Sequence, residues 1–245
     1  MSGNGSYASP LHQEHEALGW DKGGIPLYYG DAREEMDFVL ANIDNQPVLS
    51  DISAKGKFRI AGPKALDFIS SAFGCPTSLL PDVGQGIGAS LMKDDGRIAG
   101  RIHILRSGDS EFMLLVPPSN REDCYAWLDE ANCILGADAA IRDVAVLEDQ
   151  THSLAGILLA GPEASSILQE LAGQNAASSI PPVHSLGLMV LDTVPALVFH
   201  SPAFDGEYFE IYCPPTRAAG LWRAFMSFAQ VMPIGSRTLE SIIDR

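Results

Sequence analysis

Two well-separated stretches share one plan: "KFRIAGPKALDFI" at residues 57–69 and "GILLAGPEASSIL" at residues 156–168. Each is an apolar run, then Ala-Gly-Pro, then a short segment with apolar residues at helical spacing. Glycine permits a sharp exit from a strand, and proline's fixed φ and missing donor suit the start of a helix. The repeat predicts two equivalent strand–turn–helix frames, with Gly62 and Gly161 at the turns and Pro63 and Pro162 in the first helical turn.

A chain of 245 residues, 46% of them apolar, is long enough to give each frame its own core, as one large domain or two interlocked ones. Its net charge of −15 argues against a nucleic-acid or anionic-membrane partner, since phosphate binding relies on Lys and Arg. A small molecule or another protein is the expected partner. The four cysteines, Cys75, Cys124, Cys133 and Cys213, lack the paired C-x-x-C spacing of zinc or redox sites. With no basic, apolar leader at its start, the chain is expected to be cytoplasmic, and no apolar run approaches the roughly 20 residues of a bilayer span.

Around the two frames the pattern mixes helices and strands without a regular βαβ rhythm, which favours α+β. "GDAREEMDFVLANI" reads as an amphipathic helix capped by Asp31, with Met36, Val39, Leu40 and Ile43 on one face. Between the frames, Asp95-Gly96 and "SGDSE" mark the turns of three antiparallel strands, and Ser119 with Glu122 forms a capping box before the next helix. Strands are expected at "LGLMVLD", "PALVFH" and "EYFEIYC", then a helix at "PTRAAGLWRAFMSFAQ" whose stripe Leu221, Trp222, Phe225 and Phe228 has core spacing.

Chemical motifs are sparse. His12 and His15 lack H-E-x-x-H spacing, so no metal site is expected. The glycine-rich "GQGIG", Gly84 to Gly88, runs into a strand rather than a helix N-terminus and reads as an ordinary connection. No G-x-S-x-G elbow is present, and the scattered Ser, His and Asp residues do not assemble into a triad by sequence alone.

The ordered segments "SPLHQEHEALG", "DISAKGKFRIAGP", "LMKDDGRIAGRIHILRSGDSEFMLLVPPSNRED", "LAGILLAGPEA", "GEYFEIYCP" and "PIGSRTLE" resemble the T-protein of the glycine cleavage system and its wider folate-binding family, over nearly the whole chain. The resemblance implies an α+β folate-binding domain of two interlocked lobes, residues 1–50 plus 148–245 and residues 51–147, with a central antiparallel hairpin region. It implies tetrahydrofolate as cofactor and aminomethyl or methyl transfer as the parent activity. It also implies a C-terminal β domain that this sequence lacks, and which a separate protein partner would supply.

Within that resemblance, Glu210 aligns with the carboxylate that accepts hydrogen bonds from the pterin, and Arg237 with an arginine near the ligand. On a strand Glu210 and Tyr208 would share one face, pterin-facing or solvated, while Phe209 and Ile211 share the other; Arg237 would alternatively pair with Glu240. The catalytic position departs from the family. Gly100 and Arg101 stand where an Asp-Asp pair is expected, and neither can act as a carboxylate base; Asp94 and Asp95 read as turn residues. Pro117 replaces an Asn, and Ala54-Lys55 replaces a His-Met. Three functions follow: a folate-dependent transferase, a non-catalytic folate binder of the kind that assists iron-sulfur enzymes, or a scaffold subunit without ligand.

Overall fold

The computed structural model describes residues 7–20, 22–92, 98–136, 145–173, 179–202 and 206–243. In chain order these form α1 (His12–Ala17), α2 (Ala32–Asn42), β1 (Val48–Asp51), β2 (Gly56–Ala61), α3 (Ala65–Ala72), β3 (Gly86–Met92), β4 (Ile98–Gly108), β5 (Glu111–Val116) and α4 (Arg121–Gly136). Then come β6 (Val146–Asp149), β7 (Ala155–Ala160), α5 (Ala164–Ala172), β8 (Leu186–Leu191), β9 (Val194–His200), β10 (Tyr208–Cys213), α6 (Pro215–Met226), β11 (Met232–Pro233) and α7 (Ser236–Ile243). The chain is α+β, with two sheets in two compact units: residues 1–54 with 152–245, and residues 55–151.

The first unit holds the sheet β11-β1-β7-β10-β9-β8. Strand alternation gives it two apolar faces. On one, Ile157, Leu159, Phe209, Ile211 and Val198 pack against Ile167 and Leu168 of α5 and Leu221, Trp222 and Phe225 of α6. On the other, Val48, Leu158, Ala160 and Tyr208 pack against Val39 of α2, Ile43 just after it, and Leu239 and Ile242 of α7. Helices on both sides explain why β7 and β10 are buried along their whole length. The second unit holds the sheet β3-β4-β5-β2-β6. Its core joins Phe58, Ile60, Ile104, Phe112 and Leu114 to Phe68 of α3 and Leu128 of α4. Across this sheet Arg59 bridges Glu111 on β5, at 2.6 Å, and Glu148 on β6, at 3.1 Å.

Both frames form, one in each sheet. Gly62 (φ 125°) and Gly161 (φ 101°) leave β2 and β7 in the left-handed half of φ space. The prolines lie just before the helices rather than in their first turns: Ala65 and Ala164 donate back to Gly62 and Gly161 across four-residue turns with proline second. Proline's φ suits that position in turns of either hand at the third residue. Lys64 (φ −108°, ψ 6°) closes a type I turn, whereas Glu163 (φ 65°, ψ 3°) closes a type II turn, where glycine is usual.

Asp31 caps α2 as its spacing predicts, its side chain accepting from the backbone N–H groups of Arg33 and Glu34. Ser119 does not cap α4. It lies in a 3-10 turn after Pro117 and Pro118, and its hydroxyl donates to Asn120, so the helix starts at Arg121. The β3–β4 hairpin forms, although its turn, with Asp94 and Asp95, lies outside the described residues. The helix predicted from Pro215 ends at Met226, short of Phe228.

Gly235 sets the approach of α7. A Cβ there would lie 2.1 Å from the carbonyl oxygen of Leu27, so only glycine lets the two backbones meet. Ser236 and Arg237 then donate to the carbonyls of Pro26 and Leu27, and Gly235 donates to Glu35.

Candidate functional site

Glu210 occupies the centre of β10, paired with Leu158 of β7 and Phe199 of β9. Its face carries Tyr208 and Tyr212, as alternation requires, but it is not solvated: Glu210 is 1% exposed. The Tyr212 hydroxyl donates to Glu210 Oε2. Burial first, and the neighbouring Glu210 charge second, push the Tyr208 and Tyr212 phenols well above their ordinary range, so both keep their protons. Placing a carboxylate here is costly without donors. The arrangement therefore favours partners that donate hydrogen bonds to it.

Arg237 sits in the first turn of α7, 61% exposed, with Nη1 2.9 Å from Glu240. This is the surface ion pair that its spacing allows, and such a pair is weak enough to open for a better acceptor. Gly100 and Arg101 lie on β4 opposite Leu91 and Ser90 of β3, and Arg101 is exposed. Arg101 thus occupies a regular ladder position and Gly100 the edge of a register shift, where the family resemblance leads one to expect two carboxylates. Also in the second unit, Lys57 is fully buried on β2, with Nζ donating to the carbonyl of Lys55 at 2.9 Å.

A second polar centre, which local sequence signals do not reveal, closes around Asp51 at the end of β1. Its Oδ1 accepts from the Ser53 N–H at 2.8 Å, and its Oδ2 accepts from the Ser9 hydroxyl and faces His15 Nε2 at 2.8 Å. Nε2 faces a carboxylate and so carries the proton; Nδ1 then accepts from the Tyr29 hydroxyl at 2.6 Å. The His15 ring also meets Trp222 edge-on at 5.6 Å. Ser9 donates directly to Asp51 rather than to His15, so the order of a nucleophilic relay is absent. Tyr29 is held protonated by burial, with Asp51 and Glu35 adding to the effect. The cluster ties the N-terminal segment and α1 to β1.

Tyr29 also lines an open cleft with Leu18, Phe38, Asp31 and Glu35. Asp31 is engaged as the α2 cap, while Glu35 accepts from Tyr29, Gly235 and Thr238. His12 pairs with Glu16 at the surface. Among the described residues no group of three His, Cys, Asp or Glu is placed to hold a metal ion, and no helix is long and apolar enough to cross a membrane.

Two sheets in two compact units, each sheet holding the same strand–turn–helix frame, define the class: an α+β domain. The GCVT N-terminal domain matches residues 10–242, and the chain belongs to that family. It is 28% identical over 227 residues to an aminomethyltransferase of Symbiobacterium thermophilum, covering 89% of this chain and 57% of that protein. It is 26% identical over 208 residues to one from Bacillus mycoides, covering 85% and 52%. The chain thus spans little more than half the length of these curated relatives.

The fold is similar to that of the glycine cleavage system aminomethyltransferase T from Bartonella henselae: TM-score 0.76, 21% identity, 97% of this chain and 62% of that one. A chain of the heterotetrameric sarcosine oxidase from a Corynebacterium species matches with TM-score 0.57 and 17% identity, over 91% of this chain and 96% of that one.

Proposed function

We propose that this chain binds a reduced folate through Glu210 and has lost most of the aminomethyl-transfer chemistry of its relatives. The observation that carries the binding half is the buried carboxylate on β10: it faces inward, and a pterin edge offers the adjacent N–H donors that two carboxylate oxygens accept together. Arg237 is the second contact, its exposed pair with Glu240 giving way to a ligand carboxylate. The catalytic half rests on Gly100 and Arg101, which offer no carboxylate to take up or deliver a proton.

Titration of the protein with tetrahydrofolate by calorimetry, beside a turnover assay, tests both halves. Saturable micromolar binding is expected. Glu210→Gln should weaken it by about 10-fold or more, because a charge-assisted pair in a partly buried site is worth about 1.5–3 kcal/mol. Absence of binding at millimolar tetrahydrofolate would overturn the reading, and turnover near 1 per second or faster would overturn the loss of chemistry.

One observation favours a second reading. The chain covers 96% of a chain from a heterotetrameric oxidase, so a domain of this extent is a complete subunit in that assembly. In this reading the protein is a subunit or scaffold of a heteromeric complex. It predicts no folate binding.

A further inference from the structure

Helix α2 turns Val39 into the core of the first unit, and a second stripe, Asp31, Glu34 and Phe38, recurs along it at helical spacing. Acidic residues suit a helix N-terminus, where they answer the exposed N–H groups. Phe38 has no such reason to be there, since it is 51% exposed and lies outside the core. It lines the cleft that also holds Tyr29 and Glu35, together with Leu18, which is 37% exposed, and Met232 and Pro233 of β11. All of these residues belong to the first unit.

The negative charge of this cleft is uncompensated. The Asp31 side chain accepts from the backbone N–H groups of Arg33 and Glu34, and Glu35 from those of Tyr29 and Gly235 and from the Thr238 hydroxyl. Every one of these donors is neutral, and among the described residues the lining holds no lysine, arginine or histidine. Asp31, Glu34 and Glu35 therefore repel one another beside an apolar surface. A cation entering the cleft relieves that repulsion, and an apolar side chain arriving with it covers Phe38 and Leu18.

We propose that this cleft docks a basic amphipathic helix of a partner protein, whose apolar side chain packs on Phe38 and Leu18 while lysines or arginines beside it pair with Glu34 and Asp31. A helix suits the site better than a strand, because Pro233 on β11, the last strand of the sheet, has no N–H to offer an added strand. A helix also sets basic and apolar residues three and four apart, the spacing that separates Asp31, Glu34 and Phe38 on α2. A free amine would answer the charge and leave Phe38 in water. The carboxylate stripe is exposed and the apolar area small, so the contact is salt-sensitive and transient. It holds whether or not the chain binds folate.

Fluorescence anisotropy on the full chain tests this, with a fluorescein-labelled amphipathic helix of lysine and leucine about 14 residues long as the probe. At about 0.05 M NaCl the dissociation constant should be about 10–100 µM, and it should rise about 5-fold or more by about 0.3 M. The same helix with glutamate in place of lysine should not bind. Phe38→Ser and Glu34→Lys should each weaken binding by about 10-fold or more. Both side chains are exposed, so the melting temperatures should stay within about 4 °C of wild type. Leu79→Ser, which removes an exposed apolar residue from the second unit, should leave binding unchanged. No binding at about 1 mM helix overturns the proposal, as does binding that survives both Phe38→Ser and Glu34→Lys, which is attraction to net charge alone. Displacement of the helix by millimolar butylamine at constant ionic strength would make the occupant a free amine, and self-association abolished by Phe38→Ser would make it a second copy; either result overturns the proposal as well.

Discussion

Replacing Asp51 by alanine takes the acceptor from three buried donors at once: the Ser9 hydroxyl, His15 Nε2–H and the Ser53 N–H. Ser9, His15, Asp51 and Ser53 are all buried, so water does not readily take its place. Each stranded donor costs about 1–3 kcal/mol, and the Ser9 hydroxyl recovers part of its share by rotating, so the loss should be about 3–5 kcal/mol. Asp51→Asn is the informative contrast. Its oxygen still serves Ser53, while its amide N–H₂ faces Ser9 and His15; the hydroxyl turns to accept, and His15 moves its proton to Nδ1, toward Tyr29. The loss should fall to about 1–2 kcal/mol. Urea unfolding measures both. Trp20 and Trp222 lie in the first unit and Trp127 in the second, so a Trp127→Phe background confines the fluorescence signal to the first. An Asp51→Ala variant within about 1 kcal/mol of wild type would refute the reasoning, as would an asparagine variant no better than alanine.

Two further outcomes are expected. Gly235→Ala forces a Cβ to 2.1 Å from the Leu27 carbonyl, so the α7 backbone must retreat and lose its bonds to residues 26 and 27; thermal melting should show a loss of more than about 2 kcal/mol, and a shift within error would show that the segment gives way freely. The Arg59 hydrogen bond, the largest cause, holds the Glu111 carboxyl below its usual range, so this stabilisation is complete above the unfolded value and disappears as pH falls through the lower folded one. With side chains 31% and 39% exposed the pair is worth at most about 1 kcal/mol, and Glu111→Gln should flatten the acid slope of second-unit unfolding, measured through Trp127, by that much; parallel curves down to about pH 3 would remove the pair from the account.

Legibility in the sequence followed the range of the interaction. The turns at Gly62 and Gly161 and the Asp31 cap were readable because each is decided within four residues. The Asp51 cluster was not, since Ser9, His15 and Tyr29 reach it only after β1 and α1 have docked, and no spacing rule links them. Glu210 was placed on the correct face of its strand, but its burial was not readable: alternation separates Glu210 from Phe209 without saying that both sides of β10 are covered. Asp192–Thr193 was missed as a turn for a different reason. Left-handed pairs usually announce themselves by glycine or asparagine, and a β-branched threonine at φ 67° gives no such signal.

The entry and exit of the second unit lie side by side. The Lys57 N–H donates to Thr151 Oγ1, the Gln150 N–H donates to the Lys57 carbonyl, and on the other side of the boundary Ser53 and Gly156 exchange hydrogen bonds. During synthesis, residues 55–151 emerge before any of residues 152–245, while the first unit still lacks five of its six strands. Once β2 has paired with β6, the nascent chain has a clasp. It brings β1 near the place where β7 will form and removes most of the roughly 4 kcal/mol of entropy that closing a loop of about a hundred residues would otherwise cost. The folding order is thus written into the insertion: the later half of the chain meets a partner strand already held in place, and a circular permutant opened between β2 and β6 should fold more slowly than one opened within the first unit.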